Sequence, residues 1–579
     1  MKKVFLTFLC TLLSFIIMFL IFKEIFFSDI IIFEYAVHPF NICKEQPLLW
    51  NIIKLLFIFD YLFSNFIIFN SIFSNIFPKK NVSKKYKKNN FCLENNSDEL
   101  NLSIGYDSSN NLIKIPEKSL YQNIIITGAI GTGKTSSAMY PFTKQFIEYK
   151  SNNTKEKIGM LILDVKGNYF SKVQEYASKY KRTNDLIVLD LSGNIKYNPL
   201  DKPHLKPQVL ANRLKTIMLL FSPNNSESFW LDKAEQILAE AIKLCRLYNN
   251  GYVTFIELHN LIFFKDYYLE KVELLKNLFT KNTFSNKEIY DLLSALNFFE
   301  KEYFNLDDRT ISILKSEISR ITSLFISDYN VKNTFCPKKE EINFFGFSDV
   351  ILNGKIVVLN MNIANYKNLS KLIATYLKLD FQTEVIARLN DSHKNEDNSN
   401  SEILNIFKHS SDRSVCFISD EYQEFVTISD ADFFAQSREA KCINIVSTQS
   451  YTSLLNTLNN ESSVKVIIQN LVNKLWFRTD DIFTIEEAQK LIGKEDKEKF
   501  SKTISENAKE TTYNYFFNSF LSKDSNLSES LNSYFQTDYI YDTNFFTRSL
   551  ETFSCLAFLS NGNYILNPQK LKLIPYFKK

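Results

Sequence analysis

The eight residues Gly128-Ala129-Ile130-Gly131-Thr132-Gly133-Lys134-Thr135 have the types and spacing to hold a polyphosphate. They fit the pattern GxxxxGK[ST]: glycines let backbone N–H groups turn inward around phosphate oxygens, the lysine reaches the β and γ oxygens, and the hydroxyl ligates Mg²⁺. Lys134 and Thr135 take those two roles, and Ser136 completes the phosphate-binding segment at the start of the next helix. The chain has only 12 glycines, and three of them fall within six positions of this loop, so a plain glycine turn is a poor account of it. A triphosphate held this way needs a carboxylate from a second strand for the metal and a base that positions water. Val415-Cys416-Phe417-Ile418-Ser419-Asp420-Glu421 ends an apolar run in both: Asp420 for the Mg²⁺ shell, Glu421 for the water, against the alternative of a solvated acidic turn. Gln449 follows another apolar run, Ile443 to Thr448, and suits a γ-phosphate sensor at the tip of a strand beside the loop. Arg438 is the nearest arginine that a neighbouring subunit could contribute to transition-state charge; spacing alone equally allows a surface ion pair.

Such groups must be set by strands and helices in fixed order. Apolar, β-branched runs recur at Asn123 to Thr127, Met160 to Asp164, Leu186 to Asp190, Lys355 to Asn360, Val415 to Asp420, Ile443 to Thr448 and Lys474 to Arg478. Continuous apolarity predicts strands buried on both faces, hence an α/β fold with a mostly parallel sheet between helices. From about residue 204 to 345 the strand pattern lapses. Ala234, Ile237, Leu238, Ala241, Ile242 and Cys245 keep helical spacing, Thr254 to Glu257 reads as a capping box, and Ile311, Leu314, Ile318 and Ile321 form another helical stripe. The expected organisation is an anchor over 1–90, a nucleotide-binding domain over 91–203 and 346–579, and an all-α domain inserted at 204–345. Two Asn/Ser-rich stretches, about 391–413 and 503–533, read as surface loops or partly disordered segments.

The anchor begins at Val4 to Phe22, a nearly uncharged run after Lys2 and Lys3, and a second apolar run spans Leu55 to Phe77 with Asp60 inside it. No small-x-small site follows the first run, so two transmembrane helices are expected over a cleaved signal peptide. Lys79, Lys80, Lys84, Lys85, Lys87 and Lys88 follow the second run and, with Lys2 and Lys3, place both ends in the cytoplasm with a short outer loop near residues 23–51. The same lysines could instead grip DNA or anionic lipid. Bulk composition narrows the rest. Across 579 residues, 45% hydrophobic and 23% charged excludes a disordered or collagenous chain, and 68 Lys+Arg against 64 Asp+Glu leaves +4, so affinity for nucleic acid would need local patches. Eight cysteines without a CxxC, and five histidines without a metal-ligand cluster, argue against a disulfide framework or structural zinc and for a reducing compartment around the large body. The 53 Phe and 29 Tyr have the look of a base-stacking surface, but they accompany abundant Ile, Asn and Lys and only 12 Gly and 12 Pro, which points instead to an AT-rich coding bias.

The combination resembles the type IV secretion coupling proteins, the TraG/TraD-type membrane ATPases of conjugation and effector export. The likeness runs from the two N-terminal spans through the loop with Pro141 after it, Leu163-Asp164-Val165-Lys166-Gly167, Asn198-Pro199-Leu200 and Phe229-Trp230. It continues through Asp420-Glu421, Arg438, Ser447-Thr448-Gln449-Ser450 and the closing Ile574-Pro575-Tyr576-Phe577; Asn168 departs from it, standing where a Glu commonly follows Lys-Gly. The resemblance implies a RecA-like P-loop NTPase that binds ATP and Mg²⁺ at a bacterial inner membrane, multi-pass, with the C-terminal body in the cytoplasm. It also implies a homohexameric ring, Arg438 acting across the subunit interface, and a helical domain that recognises substrate. The partners implied are DNA, single-stranded and relaxase-bound, or secreted proteins, together with channel components. An FtsK/HerA-like DNA pump and a non-hydrolysing ATP-binding docking scaffold are the alternatives.

Overall fold

The computed structural model describes residues 15–16, 18–20, 23–24, 30–32, 35–41, 46–75, 99–164, 166–221, 228–281, 284–394, 413–506, 511–514, 519–522 and 527–578. Residues 1–96 and 97–579 form two compact units. In the first, Ile30–Ile32 pairs antiparallel with Tyr35–Val37, and Pro47–Asn75 is a 29-residue helix. The expected span at 4–22 lies largely outside the described residues, as do the lysines from 79 to 88; the expected span at 55–77 falls on the helix. Among the described residues no helix is long and apolar enough to cross a membrane.

The second unit is built on one eleven-stranded sheet. Its strands are β1 (Asn101–Tyr106), β2 (Leu112–Pro116), β3 (Ile124–Thr127), β4 (Gly159–Leu163), β5 (Leu186–Leu189), β6 (Ile356–Leu359), β7 (Val415–Ser419), β8 (Cys442–Thr448), β9 (Asn473–Phe477), β10 (Ser554–Phe558) and β11 (Gln569–Lys572). The spatial order is β2-β1-β11-β10-β9-β3-β8-β7-β4-β6-β5. From β9 to β5 every neighbouring pair is parallel, and these are the seven apolar runs of the sequence. Alternate residues feed different cores: Ile124 and Ile126 pack with Met160, Ile162, Ile418 and Ile445 on one face, whereas Ile125 joins Leu161, Leu163, Phe417 and Val446 on the other. Both faces are covered, which is why these strands read as unbroken apolar runs.

The remaining four strands make the sheet mixed rather than simply parallel, since β9 to β2 are joined antiparallel through β10, β11 and β1. Two of them carry no continuous apolar signal: β2 and β11 bury one residue each and present Lys114, Lys570 and Lys572 elsewhere, whereas β10 is buried throughout. Between β5 and β6 the described residues hold no strand. Helices Pro207–Phe221 and Ser228–Tyr248 pack along each other there, and Phe255–Phe263 and Asp308–Ile326 carry buried Leu258, Leu261, Leu314, Ile318 and Ile321. The capping box expected at Thr254 is half formed. Thr254 accepts from the Glu257 N–H at 3.2 Å, but the Glu257 carboxylate is taken by the hydroxyls of Tyr248 and Tyr267. Ser285 and Glu288 form the complete box instead.

The 503–533 stretch, expected as loop, is corrected in part. Lys494–Glu506 pairs with Leu527–Tyr539 in a 13-pair antiparallel ladder, and Thr511–Asn514 pairs with Ser519–Ser522. A free-standing two-stranded ribbon needs no buried face, so its polar residues mimic a loop in composition. Of the other polar stretch, residues 395–412 lie outside the described residues, and residues 391–394 end the helix Ile363–Lys394.

Candidate active site

The phosphate loop leaves the end of β3 and enters a helix that starts as a π turn, Thr135–Met139, before Tyr140–Glu148 takes α geometry with Pro141 in its first turn. Gly131 and Gly133 have φ of +78° and +97°, which a side chain adopts only under strain. Gly128 is required for a different reason: a Cβ there would lie 2.6 Å from the Phe477 Cβ on β9. The Ala129 N–H donates to the Arg478 carbonyl at 2.8 Å, tying the loop to the end of β9. Lys134 is buried and its ammonium donates to the Gly128 and Ala129 carbonyls, the latter at 3.2 Å. Burial pushes its pKa down, opposed by the charges of Glu421 and Asp420.

Asp420 follows β7, and its carboxylate accepts from the Thr135 hydroxyl at 2.8 Å. The sheet order places β8 between the loop strand β3 and the carboxylate strand β7, so this contact joins residues from opposite sides of β8. Asp420 is almost fully buried, and burial raises its pKa against the Thr135 hydrogen bond, with Asp164 and Glu421 adding repulsion. A divalent cation would reverse that penalty. Asp420 and Thr135 could offer a metal two ligands, and no cluster of three His, Cys, Asp or Glu capable of holding a metal exists among the described residues. That set suits magnesium, which takes its other ligands from water and phosphate.

Glu421 has φ of +52°, a left-handed conformation uncommon outside glycine and characteristic of strained functional positions. Its carboxylate accepts from Lys166 at 2.7 Å, from Gln423 at 2.8 Å and from Gln449 at 3.1 Å. Burial raises its pKa, but these donors outweigh it and hold the carboxyl below the usual range. It therefore stays ionised and oriented near neutral pH. Gln449 stands at the end of β8, which pairs with β3 through Thr448 and Thr127.

Sequence reasoning assigned no role to Lys166, Asp164 or Gln423. Asp164 accepts from the N–H groups of Lys166, Asn168 and Tyr169 at 3.0, 3.1 and 3.2 Å, closing the turn that aims Lys166 and capping the helix Tyr169–Lys179. Asn168 is exposed and makes no side-chain cap bond, so its departure from the family pattern leaves this turn intact. The Asp-x-Lys-Gly run after an apolar strand was the available signal. Arg438 is not brought to the loop. It is exposed in the turn after helix Asp430–Gln436 and before β8, at the opposite end of that strand from Gln449.

Residues 414–533 match the family model described as the TraM recognition site of TraD and TraG. No curated protein sequence matches the chain. Among solved structures, the bacterial conjugative coupling protein TrwBdeltaN70, unbound monoclinic form, is 11% identical, covers 82% of this chain and 88% of its own, and has a TM-score of 0.50. TrwB in complex with ADP and Mg²⁺ is 11% identical over 80% of this chain and 87% of its own, with a TM-score of 0.49. VirB4 of Thermoanaerobacter pseudethanolicus is 10% identical over 83% of this chain and 97% of its own, with a TM-score of 0.44. The chain thus resembles the type IV secretion coupling proteins in a C-terminal segment and in fold.

Proposed function

We propose, from that resemblance, that this chain is a coupling ATPase of a type IV secretion system: it binds ATP with Mg²⁺ and uses hydrolysis to pass DNA, secreted proteins or both into the channel. One observation carries the reading. At the carboxyl ends of the adjacent strands β3, β8 and β7 the phosphate loop, a metal-side carboxylate on Thr135 and an ionised, triply held Glu421 converge with Gln449. Loop N–H groups and Lys134 hold the phosphates, Thr135 and Asp420 hold the magnesium, Glu421 accepts a proton from the attacking water, and Gln449 couples Glu421 to the γ-phosphate position. A docking scaffold would need the phosphate loop but not the assembled base. The N-terminal spans anchor the chain in the inner membrane with the body in the cytoplasm, an assignment that rests on sequence. The working form is a homohexamer, in which the helices between β5 and β6 contact relaxase-bound single-stranded DNA or protein cargo.

The full chain, purified in detergent, is expected to hydrolyse ATP only with Mg²⁺. Lys134→Ala should abolish nucleotide binding, whereas Glu421→Gln should bind ATP as the parent does and lower turnover by at least about 100-fold. Parental turnover in both variants would remove the site assignment.

A further inference from the structure

The roles above account for the phosphates and leave the nucleobase without a seat. Sheet order puts the hydrolytic groups, at the ends of β8 and β7, on one side of β3, and β9 and β10 on the other. A triphosphate with its γ end at Glu421 and Gln449 therefore has its nucleoside leaving the loop away from those strands. Phe553, immediately before β10, stands on that other side.

Three observations single it out. Its φ is +63°, a strained conformation for an aromatic residue, held by hydrogen bonds from its N–H to the Thr132 carbonyl at 3.0 Å and from the Leu573 N–H to its own carbonyl at 2.8 Å. Its ring lies directly on the loop, since a Cβ at Gly133 would be in steric overlap with the ring edge. The C-terminal segment is pinned beside it: the Tyr576 N–H donates to the Ser136 carbonyl at 2.9 Å, and the Phe577 ring meets Phe553 at 5.9 Å and 73°. Phe577 is 56% exposed and Tyr576 42%, so these rings are not core. The Lys578 ammonium lies 5.9 Å from the Phe553 ring centre.

We propose that Phe553 and Phe577 form the nucleobase platform of the site, a stacking surface for a purine whose phosphates occupy the loop. The proposal rests on the nucleotide-binding reading and adds the base subsite to it. Every base has a π face, so such a platform accepts adenine and guanine alike.

The test compares two probes on the full chain with Mg²⁺ by titration calorimetry: ATP, and inorganic tripolyphosphate, which lacks a base. Phe577→Ala and Phe553→Ala should each weaken ATP about tenfold or more and leave tripolyphosphate within about twofold, while Phe553→Trp should retain ATP affinity. Phe577 is exposed, so its alanine variant keeps the test valid if Phe553→Ala fails to fold. Unchanged ATP affinity in Phe577→Ala, or equal weakening of both probes, would overturn the platform. Equal affinity of the parent for ATP and tripolyphosphate would also overturn it while sparing the phosphate site. A parent that binds neither probe would sink the nucleotide reading, and the platform with it.

Discussion

Lys474 shows how much a single position in this sheet can cost. It lies on β9, 5% exposed, with its ammonium donating to the Leu471 carbonyl, and burial pushes its pKa down to about 7. The unfolded chain holds a lysine proton up to about pH 10.4, so between the two values the unfolded state binds more protons and stability rises with pH. Below about pH 7 the full cost of the buried charge is present. Lys474→Met should raise the melting temperature, most at pH 6 to 7, with the gap closing toward pH 10. Lys166 has the opposite significance. Its hydrogen bond is the largest influence holding the Glu421 carboxyl down against burial, so Lys166→Ala should move the acid limb of the turnover–pH profile to higher pH. An unmoved limb would detach Lys166 from the base. The phosphate loop was legible at this scale because its chemistry dictates residue types at consecutive positions. The Lys166–Glu421 pair was not, because its members lie 255 residues apart and meet only when β4 and β7 pair.

Among elements, the connection from β7 to β8 is held by a fully buried ion pair. Lys378, on helix Ile363–Lys394, and Asp430, at the start of helix Asp430–Gln436, are both fully buried and bonded at 2.7 Å. Asp430 also accepts from the Thr427 N–H at 2.9 Å and from the Tyr422 hydroxyl, one residue after Glu421. The pair thus fixes both the turn that strains Glu421 and the helix that leads to Arg438. Removing one partner strands a buried charge, so Asp430→Ala should cost about 3–5 kcal/mol in urea denaturation, and Lys378→Met with Asp430→Leu should recover most of it. A loss below about 1 kcal/mol for Asp430→Ala would show that the connection is held by its apolar contacts instead. The seven parallel strands could be read from residue types because they are buried on both faces. Strands β2 and β11 and the 494–539 ribbon could not, since a half-exposed strand and a polar loop share a composition.

At the scale of the whole molecule, Arg438 sets the question of assembly. It precedes the seven-residue β8 whose far end carries Gln449, a strand length of roughly 20 Å, so it does not reach the phosphates of its own chain. A role in phosphoryl transfer requires a second copy. Turnover should then rise steeply with protein concentration, and Arg438→Ala should bind ATP normally while hydrolysing it about 10³-fold more slowly. Mixing it with Glu421→Gln should restore part of the activity, because an Arg438→Ala subunit keeps its own Glu421 and borrows Arg438 from its neighbour. No recovery in mixed assemblies of verified composition would leave Arg438 a surface residue. The sequence alone marked out the loop of phosphate-binding pattern, the two carboxylates Asp420 and Glu421 that end an apolar run and the parallel part of the sheet, because each is written in contiguous residues whose types are dictated locally. Only the tertiary structure decided that Asp420 meets Thr135, that Lys166 and Gln423 hold Glu421, that Phe553 lies on Gly133 and that Arg438 lies away from its own loop. Those facts depend on which strands become neighbours, a choice made by burying both faces of one sheet at once rather than by any local run of residues.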